Sequence, residues 1–147
     1  MSLEIDSEFG NTDKTTSSIN IRIYYEDTDS GGVVYYANYL KFIERGRTEY
    51  LLNLGFEQDK LSTNEGVIFA VKSVTADYLL PARLNDQLQV TTVVTKTRRA
   101  SIVFLHKIVN LKKNKVLFKA QVIVACLNVK SFKPCSIPSE ILEKING

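Results

Sequence analysis

Tyr39-Leu-Lys-Phe-Ile-Glu-Arg-Gly-Arg-Thr-Glu-Tyr-Leu-Leu-Asn-Leu-Gly55 is the one stretch of this chain with sustained helical periodicity. Tyr39, Phe42, Ile43, Gly46, Tyr50, Leu51 and Leu54 fall on one side at helical spacing. Lys41, Glu44, Arg45, Thr48 and Glu49 lie mainly on the other. Gly55 follows the last apolar position and suits a left-handed cap. Gly46 costs a helix interior about 1 kcal/mol relative to Ala. Its place on the apolar side predicts that another backbone comes close there, as it would if the helix were pressed against a sheet.

Downstream of Gly55 the period changes to two. Val67 to Tyr78, Leu88 to Thr95, Ser101 to Leu111 and Lys115 to Val129 are rich in Val, Ile, Phe and Thr and read as strands. Pro81 and Asn85-Asp86 break the first from the second, and Lys96 to Ala100 separates the second from the third. Lys112-Lys-Asn114 is a hairpin-turn candidate. Pro138 to Ile145 predicts a short terminal helix. Upstream, Ile19, Ile21 and Ile23 alternate with Asn20, Arg22 and Tyr24, the pattern of a half-buried strand. The order of strand, loop, long helix and four strands is that of an α+β fold with an antiparallel sheet. Residues 1–18, rich in Ser, Thr, Asp, Asn and Lys, read as a disordered tail, which leaves 19–147 as one domain.

Composition narrows the classes. The 147 residues carry a net charge of +3, too mild a balance to argue for nucleic acid. Cys126 and Cys135 match no metal or disulfide framework, so reduced thiols are expected, with Cys126 buried in its apolar run. No stretch approaches the roughly 20 apolar residues of a membrane span, and the N-terminus lacks the apolar segment of a secretory signal. A cytoplasmic location is the expectation.

The chemistry concentrates in Tyr24-Tyr-Glu-Asp-Thr-Asp-Ser-Gly-Gly-Val-Val-Tyr-Tyr-Ala-Asn-Tyr39. Glu26, Asp27 and Asp29 stand just before the helix. From spacing alone these acids serve either as turn and dipole-complementing residues or as a carboxylate beside the unpaired N–H groups of a helix N-terminus. Those N–H groups can hold an oxyanion, and the carboxylate can activate water or attack directly. The chain has no G-x-S-x-G elbow, phosphate loop or H-E-x-x-H. Its single His106 lies among Phe104, Leu105 and Ile108 and reads as structural.

Tyr-Tyr-Glu-Asp-Thr-Asp-Ser-Gly-Gly-Val-Val-Tyr, followed by Ala37-Asn-Tyr-Leu-Lys-Phe-Ile-Glu-Arg-Gly-Arg-Thr-Glu49, closely resembles the hotdog-fold thioesterases of the 4-hydroxybenzoyl-CoA thioesterase group. Within it the nearest branch is the tol–pal-associated, YbgC-like one. The likeness runs, more weakly, from about Ile19 to the final strand. It implies an antiparallel sheet wrapped around one helix, and a hydrolase that splits acyl-CoA into free acid and coenzyme A without metal or cofactor. It implies that Asp29 is the catalytic carboxylate and that the Tyr36 backbone N–H is the donor to the thioester carbonyl. The branch usually carries His at Tyr36, a change that leaves a backbone donor in place. Asp27 aligns with the motif's other acid, and it and Glu26 are read as structural. Tyr25 and Asn38 are read as shaping the substrate pocket or capping the helix rather than doing chemistry.

Arg98 and Arg99, in Lys96-Thr-Arg-Arg-Ala-Ser101, match basic residues that the hydroxybenzoyl enzymes use for the nucleotide. Arginine's planar fork suits the phosphates of coenzyme A. Lys112, Lys113 and Lys115 read as a solvated turn. The resemblance further implies a homodimer built by joining two sheets edge to edge, with sites at the protomer boundary, and a tetramer of two such dimers. An acyl carrier protein is an alternative carrier of the substrate. Two other functions fit the fold: a non-catalytic acyl-CoA or acyl-carrier-protein binding module, and a hydratase or dehydratase. Hydratases pair an acid with a His near the helix, and no His occurs between Ile19 and Val103.

Overall fold

The computed structural model describes residues 9 and 15–147. Five strands form one antiparallel sheet: β1 (Thr16–Arg22), β2 (Val67–Tyr78), β3 (Gln87–Thr97), β4 (Ser101–Asn110) and β5 (Lys115–Asn128). Their spatial order is β1-β3-β4-β5-β2, so β1 and β2 are the edges. The long helix α1 (Asn38–Asn53) lies against one face, and a short α2 (Ser139–Asn146) ends the chain. A brief helical segment, Gln58–Lys60 continuing as Leu61–Glu65, links α1 to β2 and buries Leu61. No helix among the described residues is long and apolar enough to cross a membrane.

The apolar side of α1 forms the middle of the core. Phe42, Ile43 and Tyr50 are each 1% exposed, and burying such a side chain is worth about 1.5–3 kcal/mol. Tyr39 stacks on Phe118 of β5 with ring centroids 5.3 Å apart, and Tyr50 meets Phe104 of β4 edge-on at 5.7 Å. Gly46 sits against the sheet, but side chains meet it there rather than the backbone expected. A Cβ there would stand 2.6 Å from Thr92 Oγ1 and 3.1 Å from Val90 Cγ1. Gly55 closes the helix at φ +98°.

Two boundaries differ from the sequence reading. β1 begins at Thr16, ahead of Ile19, because hydroxyls satisfy it: Ser18 Oγ meets Thr91 Oγ1 at 3.1 Å, and Ser17 Oγ accepts from Asn53 Nδ2 at 3.0 Å. Phe9, in the segment expected to bury nothing, packs on Val93 and Leu105. The remainder of the expected tail lies outside the described residues. β3 continues through Lys96 to Thr97, which pairs with Ile102, since a register shift between Val94 and Lys96 absorbs the irregularity. The β3–β4 turn is therefore only Arg98 to Ala100.

Candidate active site

Residues 24–38 are held by a network of backbone and side-chain hydrogen bonds, with Val34 anchored in the core. Asp27 is the hub. Its Oδ2 accepts from the Tyr24 N–H at 2.8 Å, closing the 3₁₀ turn Tyr25–Asp27. Its carbonyl accepts from the Tyr35 N–H at 3.0 Å and from Asn38 Nδ2 at 2.9 Å. Asn38, the first residue of α1, thus ties the helix to the acidic loop. The chain then reverses through Asp29 to Val33. The Asp29 N–H donates to Val33 O at 2.9 Å, the Gly32 N–H donates to Asp29 O at 3.1 Å, and Gly32 takes φ +77°. A side chain is strained in that conformation and glycine is not.

Asp29 is exposed, and its Oδ1 accepts from the Gly31 N–H at 2.8 Å. Among the described residues the carboxylate takes no other hydrogen bond. Tyr36 stands in the turn that opens α1, and its N–H donates to no described residue. That N–H lies two residues ahead of the first helical residue, near the positive end of the helix. Tyr25 lies on the surface of the same loop, 81% exposed. Asp29, Tyr36, Tyr25 and Asn38 all belong to the loop that leads into α1 or to its junction with the helix, and of the four only Tyr36 lines the cleft beside it.

Beside Tyr36 is a cleft of about 280 Å³ lined by Val34, Tyr36, Tyr39, Tyr78 and Leu79 to Pro81. The Tyr78 hydroxyl donates to Tyr36 O at 3.2 Å, and the Tyr39 hydroxyl accepts from the Ala82 N–H at 3.0 Å. Burial pushes the Tyr39 and Tyr78 phenols above their ordinary range, so these walls are uncharged at neutral pH. Reading the sequence missed the Tyr78 wall. Its signal was an aromatic at the end of a strand followed by Leu-Leu-Pro.

Arg98 and Arg99 are not brought to this place. Tyr78 pairs with Phe118, whereas Ser101, just past the arginine turn, pairs with Ala125. Seven residues of β5 separate those levels, which is about 23 Å of strand. Both arginines are exposed, and Arg99 donates to Ser136 Oγ at 2.9 Å.

Sequence reading also missed Arg47. It occupies the row Ile43, Arg47, Leu51 on the buried side of α1, and a cation interrupting an apolar row was the available signal. Arg47 lines a second cavity, of about 240 Å³, with Glu44, Thr48, Gln58, Phe69 and Phe104 among its walls. Its Nη1 donates to His106 Nε2 at 3.3 Å, and His106 Nδ1 meets Thr92 Oγ1 at 3.0 Å. A guanidinium only donates, so the imidazole proton belongs on Nδ1. His106 is 0% exposed, and burial, with the Arg47 charge adding to it, holds its pKa well below the usual histidine range. It is a neutral structural link and lies away from Asp29. Among the described residues no group of three His, Cys, Asp or Glu side chains could hold a metal ion.

Comparison with known proteins fits this geometry. Residues 24–145 match the model of the thioesterase-like superfamily. The acyl-CoA thioester hydrolase YbgC of Escherichia coli is 45% identical over 122 residues, 83% of this chain and 90% of that protein. A probable thioesterase from Bartonella henselae superposes with a TM-score of 0.79 at 31% identity, covering 84% of this chain and 100% of that one. The 4-hydroxybenzoyl CoA thioesterase from Pseudomonas sp. strain CBS-3 superposes with a TM-score of 0.82 at 20% identity, over 88% and 98% of the two chains. That last likeness speaks for the hotdog architecture alone.

Proposed function

The chain belongs to the thioesterase-like superfamily and is an acyl-CoA thioester hydrolase, and from that premise we propose that Asp29 is its catalytic carboxylate and the Tyr36 N–H its oxyanion donor. What supports this reading is that one loop leading into α1 carries both an exposed carboxylate and an N–H with no described partner, the latter beside an uncharged aromatic cleft. The acyl group enters the cleft with its carbonyl oxygen on the Tyr36 N–H. With Asp29 as general base, the carboxylate takes a proton from water and the resulting hydroxide adds to the carbonyl carbon. Negative charge then develops on the oxygen, where the helix N-terminus stabilises it most. The intermediate collapses by breaking the carbon–sulfur bond, and the proton held by Asp29 passes to the departing thiolate. With Asp29 as nucleophile, the same carboxylate adds to the carbonyl carbon, and the carbon–sulfur bond breaks to leave an anhydride and a thiolate. Water then opens the anhydride, returning the carboxylate and releasing the acid and the proton that the thiolate takes. Tyr25 and Asn38 border the acyl group.

We place Arg98 and Arg99 at the nucleotide end of a site completed by a second copy of the chain. What supports this is the layout of the sheet. β2 is an edge with Val71 53% and Val74 41% exposed, and an edge of that length needs covering. A two-fold axis across the middle of β2 pairs it with its copy antiparallel. The Val67 end of one strand then lies beside the Tyr78 end of the other, and the partner subunit's Arg98 and Arg99 come to the same end of the joint sheet as Asp29. The enzyme acts as a dimer or as a tetramer of two such dimers, in a reducing cytoplasm.

Thiol release from short-chain, long-chain and aromatic acyl-CoAs, and from an acyl-carrier-protein thioester, tests the assignment. Hydrolysis of at least one acyl-CoA with light scattering at dimer mass or above is expected. Binding without turnover of any of them would contradict it.

A further inference from the structure

Cys126 and Cys135 were separate features in the sequence, and the fold makes them neighbours. Leu127 and Pro134 form an antiparallel bridge, the Cys135 N–H donates to Cys126 O at 2.9 Å, and the Asn128 N–H donates to Lys133 O at 2.9 Å. Cys126 and Cys135 are therefore directly opposed across a short ladder, with Sγ atoms 3.8 Å apart. Opposed residues of an antiparallel ladder have Cα atoms about 4.5–5.5 Å apart, inside the span a disulfide accepts, about 4.4–6.8 Å. Small side-chain rotations would bring the sulfurs to bonding distance.

The two thiols are unequal. Cys126 is 0% exposed, and burial first, then the neighbouring Cys135, push its thiol up to about 12. Cys135 is partly exposed. An oxidant therefore meets Cys135 first.

We propose that Cys126 and Cys135 are a reversible disulfide site, closed by peroxides and opened by dithiols, that staples the strap 133–137 onto β5. Peroxide oxidises the Cys135 thiol to a sulfenic acid and is itself reduced, leaving as water or an alcohol. The Cys126 sulfur then attacks the Cys135 sulfur, the S–O bond breaks, and the Cys126 proton leaves with the oxygen as water. The strap matters because it holds the arginine turn: the Ile137 N–H donates to Arg99 O at 2.7 Å, Ser136 Oγ accepts from the Arg99 guanidinium, and the Cys126 N–H donates to Ala100 O at 2.8 Å. Closing the bond restrains the backbone that positions Arg99. This last link rests on the reading of Arg99 as a nucleotide contact, whereas the disulfide itself does not.

The test is hydrogen peroxide added to the folded full chain, read by intact mass and by alkylation of the remaining thiols. The expected product is an intramolecular species lighter by two hydrogens, with neither thiol alkylated, restored by dithiothreitol. Cys126→Ser should instead leave a Cys135 sulfenic acid that dimedone traps. Chains that keep both thiols, that accumulate oxygenated Cys135 with Cys126 still present, or that link only between protomers would overturn the site. KM for acyl-CoA should differ by about threefold or more between the oxidised and reduced forms, with a truncated thioester unaffected. Equal KM values in a protein shown by mass to be disulfide-bonded would overturn the link to Arg99.

Discussion

The two ends of the sheet differ in chemistry, and the proposed function assigns each a half of one reaction. At the N-terminal end of α1 are an exposed carboxylate, an open backbone donor and an uncharged aromatic cleft, with no cation set against the carboxylate. At the far end are two exposed arginines on a tight turn, held by the strap from the C-terminal segment. On the proposed reading the first end breaks the thioester, and the second, with Arg98 and Arg99, holds the phosphates. Separation by about 23 Å along β5 means that one copy does not unite them. The proposed pairing of two copies along the β2 edge would unite them.

The largest expected effect comes from disabling the first end. Asp29→Asn keeps the side chain's shape and its bond from Gly31 but removes the base and nucleophile. kcat should fall by about 10²–10⁴-fold while Kd for acyl-CoA, by calorimetry, stays near wild type. A variant within threefold of wild-type turnover would dismiss Asp29. At the second end, Arg98→Ala with Arg99→Ala should raise KM for acyl-CoA by about 10- to 100-fold, the worth of losing charge-assisted hydrogen bonds. kcat should hardly change, and a thioester without the nucleotide should be hydrolysed as by wild type. Equal losses on both substrates would remove the arginines from nucleotide binding.

Between the two ends, the Arg47–His106–Thr92 link should act on stability and leave the chemistry alone. The folded-state pKa of His106 lies well below its unfolded value, so the unfolded chain binds a proton that the folded one refuses. Stability is therefore lost as pH falls below about 6.5. From pH 7 to pH 5 this single group should lower stability, a loss that His106→Gln would not show. Urea midpoints for both proteins at the two pH values give the difference, and parallel declines would refute the assignment. The smallest effect is at Gly46. A Cβ there gains about 1 kcal/mol of helix propensity but crowds Thr92 and Val90, and overpacking costs about 1–3 kcal/mol. Gly46→Ala should be less stable by about 1 kcal/mol in denaturant titration, and a stabilised variant would mean that helix and sheet are not in tight contact.

What was legible in the sequence follows the same division. The periods of α1 and the later strands, the close approach at Gly46 and the left-handed Gly55 follow from local pattern, because burial imposes that pattern residue by residue. The Asp29 loop was legible as a contiguous motif. The start of β1 was not, since Thr16, Ser17 and Ser18 join the sheet through hydroxyl bonds to Thr91 and Asn53 that no periodicity announces. Tyr78, Arg47 and the opposed cysteines share that reason: each acquires its role from a residue distant in sequence that the fold brings near.

The division of labour between the two ends is tested most directly by a mixed dimer. One protomer carries Asp29→Asn and the other Arg98→Ala with Arg99→Ala, and the pair is isolated through two different affinity tags. If each site takes its carboxylate from one copy and its arginines from the other, one of the two sites is wholly wild type. The mixed dimer should then show about half the wild-type kcat at the wild-type KM. Half the turnover at the raised KM of the arginine variant would place both groups in the same copy and contradict the account.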